Sequence, residues 1–364
     1  MRKSERSRQK PHRASFSPQG PIALGFERTH MTLDALDWRL MNDWQRALPL
    51  VSRPFDEIAR RLDTSEACII ERLQKLLETG AISRIGATCR PNTLAASTLA
   101  AVAAPEGQIE EIAAVINAQE GVNHSYEREN KWNIWFVATG PTRAFVDDIL
   151  RRITQQTGLR VLDLRLERPF NVDLGFALDG SNALPQPRAV DMDIRIEASD
   201  RAIMQALSEG MTPTACPFAD LAARLGQTEA EVLERVRVLA QSGILSRIGL
   251  IVRHRALGWR ANAMCVFNVP PDEVEACGLA LTAVQGVTLC YERRAVPGVW
   301  PYTLYCMIHG RSRAETLDVL SQARVAARLV PYEYRVLFST RCFRQQGALI
   351  VAPSSKTSGE SHAD

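Results

Sequence analysis

The sequence contains an internal repeat, and this repeat constrains the fold more than any other feature. The tetrapeptide Ser83-Arg84-Ile85-Gly86 recurs unchanged as Ser246-Arg247-Ile248-Gly249, 163 residues later. Tyr126-Glu127-Arg128 returns as Tyr291-Glu292-Arg293, at an offset of 165. An offset that grows slowly along a chain is typical of a duplicated unit that has acquired loop insertions. The fold is therefore expected to consist of two copies of one unit.

The repeats and the segments around them divide the chain. The repeats span roughly residues 31–176 and 194–349 of the 364. The Gly-, Ser- and Pro-containing segment 177–193 predicts a linker between them. Residues 1–30 predict a disordered basic arm, and residues 350–364 predict a disordered polar tail.

Positive charge is concentrated in the first 13 residues. The chain has 44 Lys and Arg against 41 Asp and Glu, a net charge of +3, to which those residues contribute +5. The remainder, at −2, gives no general charge argument for binding nucleic acid. No apolar run approaches the roughly 18 residues of a membrane span, and no apolar segment follows the basic start as in a secretion signal. These features predict a cytoplasmic protein without a membrane segment.

The eight cysteines predict structural thiols. None of them forms a C-x-x-C pair, and their spacing fits no zinc motif. Most lie in apolar runs, so we expect reduced thiols and no metal held by the protein.

The first part of each repeat, residues 31–86 and 194–249, predicts a winged helix-turn-helix. Apolar residues three and four positions apart predict helices, and Thr64-Ser65 and Gly80 are suitable caps for the third of them. Helices are expected at 32–46, 55–62 and 66–79, and again at 199–208, 218–225 and 228–242. A strand follows each third helix, and three helices followed by a strand form this motif.

The second part of each repeat, residues 87–176 and 250–349, alternates strands and helices in the order βαββαβ. Strands are expected at 96–103, 122–129, 132–138, 160–167, 261–269, 287–294, 302–308 and 332–339. Helices are expected at 107–119, 142–156, 272–284 and 312–328. This order is typical of a ferredoxin-like domain. The predicted fold class is therefore α+β, a tandem duplication of a winged helix-turn-helix and a ferredoxin-like domain, which resembles the Lrp/AsnC family of regulators.

The candidate recognition helices argue against DNA binding as the main role. Residues 66–75 carry no net charge, and residues 228–237 carry a net charge of −1. Glu229 and Glu231 lie at the start of the second helix, where they favour the helix dipole and repel a phosphate. A regulator that binds DNA and a small effector remains the alternative interpretation.

Three stretches narrow the resemblance to one family. Asn123-His124-Ser125-Tyr126-Glu127-Arg128-Glu129 in the first repeat is matched by Leu289-Cys290-Tyr291-Glu292-Arg293 in the second. The second repeat also contains Trp300-Pro301-Tyr302. With the repeated Ser-Arg-Ile-Gly, these stretches resemble the siroheme decarboxylases over about residues 31–349. The first repeat resembles a NirD-type subunit and the second a NirL-type subunit, so the chain resembles a natural fusion of the two.

The resemblance implies a defined reaction. Siroheme decarboxylases remove the carboxyl groups of the C12 and C18 acetate side chains of siroheme. The product is 12,18-didecarboxysiroheme, on the routes to heme d1 or heme b. The resemblance implies no added cofactor, because the iron in the site belongs to the substrate. It also implies companion NirG/NirH-type subunits, and either internal pairing of the two repeats or a homodimer.

A siroheme pocket needs cations for eight carboxylates and apolar walls for a flat ring. Arginine suits carboxylates because its planar fork binds both oxygens. The arginines that the motifs supply are Arg84, Arg90, Arg128, Arg165, Arg168, Arg247, Arg253, Arg293, Arg335 and Arg341. The aromatic candidates to contact the ring are Trp135, Tyr291, Trp300, Tyr302 and Tyr305. Solvated arginines and core aromatics are the alternative interpretation.

His124, Tyr126 and Arg128 are predicted to share one face of a strand, because alternate residues of a strand point the same way. Loss of CO₂ from an acetate leaves negative charge that the tetrapyrrole can accept, and an acid must then protonate the carbon. A histidine suits this proton transfer, so His124 is the first candidate acid, with Tyr126 beside it. His309, from the other repeat, is the second candidate. The plain alternatives are a satisfied histidine at a sheet edge for His124, a core aromatic for Tyr126, and a neighbour of a helix N-cap for His309.

The two repeats differ at this motif, because Leu289 occupies the position of His124. One half is therefore expected to catalyse the reaction while the other half shapes the site. NirD-type sequences often have a histidine at the position of Asn171, so this chain has fewer candidate acids. A carrier that holds a tetrapyrrole for a partner is a third interpretation.

Overall fold

Each repeat folds into three helices, a strand and a βαββαβ domain in the computed structural model, which describes residues 33–172, 175, 178 and 193–352. The elements of the first repeat are α1 (Ala35–Asp43), α2 (Pro54–Leu62), α3 (Glu66–Glu78), β1 (Ile82–Cys89), β2 (Ala96–Val102), α4 (Ile109–Ala118), β3 (Val122–Arg128), β4 (Ile134–Gly140), α5 (Arg143–Thr157), β5 (Val161–Leu164) and β6 (Leu166–Asn171). Those of the second are α6 (Ala198–Glu209), α7 (Pro217–Leu225), α8 (Glu229–Gln241), β7 (Leu245–Val252), β8 (Ala261–Phe267), α9 (Val274–Thr282), β9 (Val287–Arg293), β10 (Leu304–Gly310), α10 (Arg313–Ala326) and β11 (Tyr334–Gln345). The predicted fold class is confirmed. The predicted arm, and almost all of the predicted linker and tail, lie outside the described residues.

The third helix of each helix-turn-helix uses an arginine to hold the first. Arg72 of α3 contacts Asp34 and Asp37, which form the capping box of α1, each at 2.8 Å. Arg235 of α8 contacts Asp200, in the capping box of α6, at 2.8 Å. These arginines are therefore neutralised within the domain, and they are poorly placed to contact a phosphate backbone.

The repeated Ser-Arg-Ile-Gly motif joins the two wings. β1 and β7 pair as an antiparallel two-stranded sheet, with Gly86 opposite Gly249. A Cβ on Gly86 would overlap the backbone oxygen of Leu207, and a Cβ on Gly249 would overlap that of Trp44. Glycine is needed at both positions because the end of the first helix of the opposite repeat passes directly over each wing.

The two βαββαβ domains exchange strands and form one nine-stranded sheet, in the order β5-β2-β4-β3-β11-β8-β10-β9-β6. The first half of β11 pairs with β8 of its own repeat, and the segment from Ser339 to Gln345 pairs with β3 of the other repeat. Likewise, β5 pairs with β2 of its own repeat and β6 pairs with β9 of the other. Only Arg165 separates β5 from β6 along the chain, so the two edges of the sheet meet. The exchange explains why the strand predicted at 160–167 is divided, and why the strand predicted at 332–339 extends to Gln345.

A core shared by both repeats fills the space inside this sheet, and it contains Trp135, Trp300, Tyr302 and Tyr305. Trp135 and Trp300 are 1% and 4% exposed, and their ring centroids are 5.2 Å apart. The indole N–H of Trp300 donates to the hydroxyl of Tyr305 at 2.8 Å. The prediction that Trp135, Trp300 and Tyr302 contact a ligand ring is therefore corrected. As the chain is folded here, these rings pack against one another and stabilise the join between the repeats.

The described helices are too short to cross a membrane. The longest of them, α5, has 15 residues. A bilayer requires about 20 consecutive apolar residues in a helix.

All eight cysteines fall in the described part of the chain, and all have free thiols. Cys265, Cys277, Cys290 and Cys306 are buried. Their position in the core of the second repeat agrees with the predicted structural role.

We expect Gly249→Ala to destabilise the protein more than Gly158→Ala does. Gly158 ends α5 with a positive φ of 67°, and an added Cβ there would meet no atom within 4 Å. Its replacement therefore introduces only backbone strain of about 1–2 kcal/mol. Gly249→Ala instead forces the end of α1 away from the wing. Thermal unfolding of both variants measures the difference, and equal melting temperatures would contradict a tight contact between the wing and α1.

Candidate active site

His124, Tyr126 and Arg128 line the inner face of β3, as their alternation in the sequence predicts. Ser125, on the opposite face, donates its hydroxyl hydrogen to Asn117 of α4 at 2.6 Å, so the helices lie on that side. The His124 and Tyr126 rings are stacked, with centroids 6.4 Å apart. The Arg128 guanidinium lies 5.6 Å from the centroid of the Tyr126 ring. The three predicted side chains are thus neighbours.

The second repeat supplies a hydrogen-bonded chain to the same place. Arg128 donates from Nη1 to the backbone oxygen of Leu337 at 3.0 Å and to Oδ1 of Asn262 at 3.3 Å. Nδ2 of Asn262 lies 2.6 Å from Nε2 of His309, and Nδ1 of His309 lies 2.8 Å from Oγ1 of Thr288. The structure therefore connects His309 with Arg128 in one site, although 181 residues separate them in the sequence.

The paired wings add cations beside β3. Arg84, on β1, is close enough to His124 to lower the pKa of its imidazole, and Arg247, on β7, does the same to Arg84. Arg253 follows β7, and the next residue, His254, has its ring centroid 6.5 Å from that of His309. We call His124, Tyr126, Arg128, Arg84, Arg247, Arg253, His254, Asn262 and His309 the basic cluster.

Burial lowers the pKa values of two histidines and two arginines of the basic cluster. Burial first, and then the guanidinium of Arg84, lowers the pKa of His124 to about 4. Burial and the charge of Arg128 lower the pKa of His309 to about 4. Burial also lowers the pKa of Arg84 and of Arg128 to about 10. No described carboxylate is among the groups that shift these four values, so no carboxylate in their surroundings offsets the cost of burying the charges of Arg84 and Arg128.

Several donors in the basic cluster point at no described acceptor. The Nε atoms of Arg84, Arg128 and Arg253 are buried and have no hydrogen-bond partner among the described residues. Glu127 of β3 and Glu129 just after it point elsewhere, because they pair with Arg341 and Arg313. Buried donors that lack partners are unfavourable, so this arrangement favours an anionic ligand with several oxygens.

Exchanging the two repeats relates the basic cluster to a second place in the molecule, which we call the counterpart of the cluster. The counterpart has no histidines at the equivalent positions. Leu289, Ser97, Thr139 and Pro91 occupy the positions equivalent to His124, Asn262, His309 and His254. The backbone N–H of Leu349, in the C-terminal segment, donates to Oγ1 of Thr139 at 2.9 Å. The two halves therefore form different sites, as the substitution of Leu289 predicts.

Three residues that were predicted to contact the ligand, Arg90, Tyr291 and Arg293, lie at this counterpart of the cluster. Arg293 donates to the backbone oxygen of Leu164 at 3.0 Å and lies 4.9 Å from the centroid of the Tyr291 ring. This bond mirrors the one from Arg128 to Leu337. Arg90 follows β1 and is the counterpart of Arg253. The structure does not bring Arg90, Tyr291 or Arg293 to His124, so their predicted contact with the ligand would belong to a separate place.

The remaining candidate arginines form ion pairs at the surface. They are Arg165 with Asp163, Arg168 with Glu292, Arg335 with Glu333, and Arg341 with Glu127. A surface cavity of about 410 Å³ lies near Arg165, and its other arginines include Arg143, which pairs with Asp163, and Arg294, which pairs with Glu167. These arginines therefore have carboxylate partners, whereas Arg201, which also lines the cavity, donates to the backbone oxygen of Leu94.

Sequence reasoning did not single out Asn262, Thr288 or His254. Only the pairing of β8, β9 and β10 brings Asn262 and Thr288 beside His309. His254 carried a usable signal, because it follows Arg253 directly whereas Pro91 occupies its place in the first repeat. Among the described residues, no group of three or more histidine, cysteine or carboxylate side chains could hold a metal ion.

We expect the ligand-free protein to lose stability as the pH falls from about 6.5 to about 4. The unfolded histidines titrate near pH 6.5, whereas the pKa values of His124 and His309 in the folded chain are about 4. Between these values the unfolded chain binds more protons, so acid favours unfolding. His124→Gln and His309→Gln should each flatten the fall in melting temperature relative to wild type. A parallel fall in all three proteins would contradict the lowered pKa values.

Two family models match both repeats. The model described as AsnC-like ligand binding domain matches residues 94–170 and 256–344, and the model described as siroheme decarboxylase NirDL-like HTH domain matches 37–82 and 200–245. A siroheme decarboxylase NirDL subunit of Paracoccus pantotrophus is 54% identical over 88% of this chain and 98% of its own length. A siroheme decarboxylase of Hydrogenobacter thermophilus is 30% identical over 83% of this chain and 90% of its own. The crystal structure of a siroheme decarboxylase NirDL in complex with an iron-uroporphyrin III analogue superposes with a TM-score of 0.61 at 26% identity, over 86% of this chain and 92% of that one.

Proposed function

The chain belongs to the siroheme decarboxylase family, and we propose that it converts siroheme to 12,18-didecarboxysiroheme by removing the C12 and C18 acetate carboxyl groups as CO₂. The observation that carries this proposal is the placement of Arg84 and Arg128 around His124, three groups whose pKa values burial lowers and no described carboxylate raises. A substrate with eight carboxylates supplies the missing negative charge.

The arginines bind and orient the substrate carboxylates. The Nε atoms of Arg84, Arg128 and Arg253 are donors without a described partner, and charge-assisted bonds from guanidinium to carboxylate are among the strongest hydrogen bonds in proteins. Binding replaces repulsion between neighbouring cations with attraction to the ligand. The substrate is therefore recognised by its charge as well as by its shape.

His124 is the proposed proton donor. Decarboxylation breaks the bond between the carboxyl carbon and the methylene carbon, and the electron pair is delocalised into the tetrapyrrole while CO₂ leaves. A proton then adds to the methylene carbon and makes it a methyl group. In the ligand-free site His124 is neutral at pH 7, because its pKa is about 4. Substrate carboxylates beside it would raise that pKa, so binding itself loads the acid with a proton.

Tyr126 is proposed to hold the reacting carboxyl group between His124 and Arg128. Burial raises the pKa of its hydroxyl well above the usual value, so the hydroxyl remains protonated and can donate a hydrogen bond. The protein is proposed to need no cofactor of its own, since the iron enters as part of the substrate.

The partners are proposed from the family as well. The two repeats pair within one chain through exchanged strands, so the internal pairing that the sequence left open is present. The Paracoccus relative is called a subunit, which supports companion NirG/NirH-type subunits for this chain. A homodimer and a cytoplasmic location stay predictions.

Anaerobic incubation of the purified chain with siroheme, followed by mass spectrometry of the tetrapyrrole, tests the function. We expect two successive losses of CO₂, one from each acetate side chain. One loss would mean that a companion subunit completes the reaction. Unchanged siroheme with a shifted absorption spectrum, even with companion subunits added, would favour the carrier interpretation. Unchanged siroheme without binding, together with salt-sensitive binding to promoter DNA, would favour the regulator.

His124→Ala should keep siroheme binding and lower turnover by about 10²- to 10⁴-fold, the range for loss of a general acid. Single-turnover rates and a spectroscopic binding titration separate the two effects. Ser97→Ala is the control variant, because Ser97 occupies the position of Asn262 at the counterpart of the cluster. It should leave both the single-turnover rate and siroheme binding unchanged. Full turnover by His124→Ala would remove His124 from the proton transfer.

Arg128→Ala should weaken siroheme binding more than it slows the bound complex. The change leaves a substrate carboxylate without its partner, a loss of about 1.5–3 kcal/mol for a bond to a charged group. The same binding titration measures it. An unchanged dissociation constant would show that Arg128 contacts no substrate carboxylate.

A further inference from the structure

The hydrogen-bonded chain from Arg128 to Thr288 has only one consistent arrangement of protons. Arginine has donors and no acceptor, so the Asn262 atom that faces Arg128 must be the carbonyl Oδ1. The amide nitrogen of Asn262 then faces Nε2 of His309, which must accept and therefore carries no proton. The proton of His309 lies on Nδ1 and is donated to Thr288, whose hydroxyl hydrogen goes to the backbone oxygen of Met307.

This arrangement leaves His309 without a transferable proton. Both ring nitrogens are engaged, one as an acceptor and one as a donor within the protein. A second proton, on Nε2, would point at the amide hydrogens of Asn262 and would add charge beside the Arg128 guanidinium. His124 differs, because no hydrogen bond from a described residue engages its ring.

The same series of hydrogen bonds fixes the direction in which the Arg128 guanidinium points. Nη1 is held by Asn262 and by the backbone oxygen of Leu337. The Nε of Arg128 is buried and has no described partner, so this edge of the guanidinium is left for a ligand. At the counterpart of the cluster, Arg293 also donates to a backbone oxygen, but Ser97 and Thr139 occupy the positions of Asn262 and His309. The complete series of hydrogen bonds is therefore present in the basic cluster and not at its counterpart.

We propose that Asn262 and His309 are positioning residues for the decarboxylation, which hold the Arg128 guanidinium toward a substrate carboxylate, and that His309 transfers no proton. This proposal rests on the proposed function. It gives His309 a different role from the second catalytic acid that the sequence predicts.

His309→Gln separates positioning from proton transfer. The glutamine carbonyl oxygen reaches the position of Nε2 and can accept from Asn262, but a glutamine side chain cannot act as an acid at neutral pH. We expect its single-turnover rate with bound siroheme to stay within about fivefold of wild type, since the anchor of Arg128 is kept. A fall of 10²-fold or more, in the range for a lost general acid, would overturn the proposal.

His309→Leu and Asn262→Leu remove the anchor without adding charge. We expect each to raise KM for siroheme by about tenfold or more, with a smaller change in kcat, and the two together to add little, since they break the same chain. Ser97→Ala is the matched control and should change neither constant. A loss confined to kcat in these variants would also overturn the proposal.

Nuclear magnetic resonance of ¹⁵N-histidine-labelled protein supplies a readout without activity. Neutral His309 should show its proton on Nδ1 at pH 7, and Asn262→Leu should allow the other tautomer. A proton on Nε2 in the wild type would contradict the arrangement, even if siroheme turnover is normal. If the wild type leaves siroheme unchanged and the Nδ1 tautomer is present, the proposed function fails while the hydrogen-bonded chain stands.

Discussion

The exchange of the last strand between the two repeats is the constraint on which the rest of the structure depends. Ser339 to Gln345 of β11 pair with β3, and β6 pairs with β9, so the continuation of each domain's last strand adds to the sheet of the other domain. Backbone hydrogen bonds across the join fix the register between the repeats, because a slip of one residue would turn every side chain to the other face. That register places Arg128 against Leu337 and Arg293 against Leu164.

The shared core inside this sheet explains why the aromatic motif does not form a pocket. Trp135 comes from one repeat and Trp300 from the other, and their rings meet inside the closed sheet. Burial of large rings is a strong source of stability, and it makes the join part of the folded core rather than a surface contact. The positive charge of the site is held beside this core, where a low dielectric strengthens its attraction for an anionic ligand.

Holding several cations close together is unfavourable, and the fold provides the energy that maintains them. Arg84 and Arg247 approach through the paired wings, whose glycines allow the first helices to pass closely over them. Arg128 approaches through the exchanged strands. The winged helix-turn-helix, a motif known for presenting a helix to DNA, thus contributes a strand and an arginine to the basic cluster. The duplication also allowed the basic cluster and its counterpart to diverge. His124, His254 and His309 are in the cluster, whereas Leu289, Pro91 and Thr139 occupy the equivalent positions of the counterpart.

The sequence by itself determined the duplication, the order of helices and strands, the family and the shared face of His124, Tyr126 and Arg128. These follow from local periodicity, caps and motifs, which depend on residues close together in the chain. Only the tertiary structure decided that Trp135, Trp300 and Tyr302 are core residues, and that Arg90 and Arg293 lie apart from His124. It also joined Asn262 and His309 to Arg128. The reason is physical: contacts across the repeats depend on which strands exchange and in which register, and no pattern within either repeat specifies that pairing.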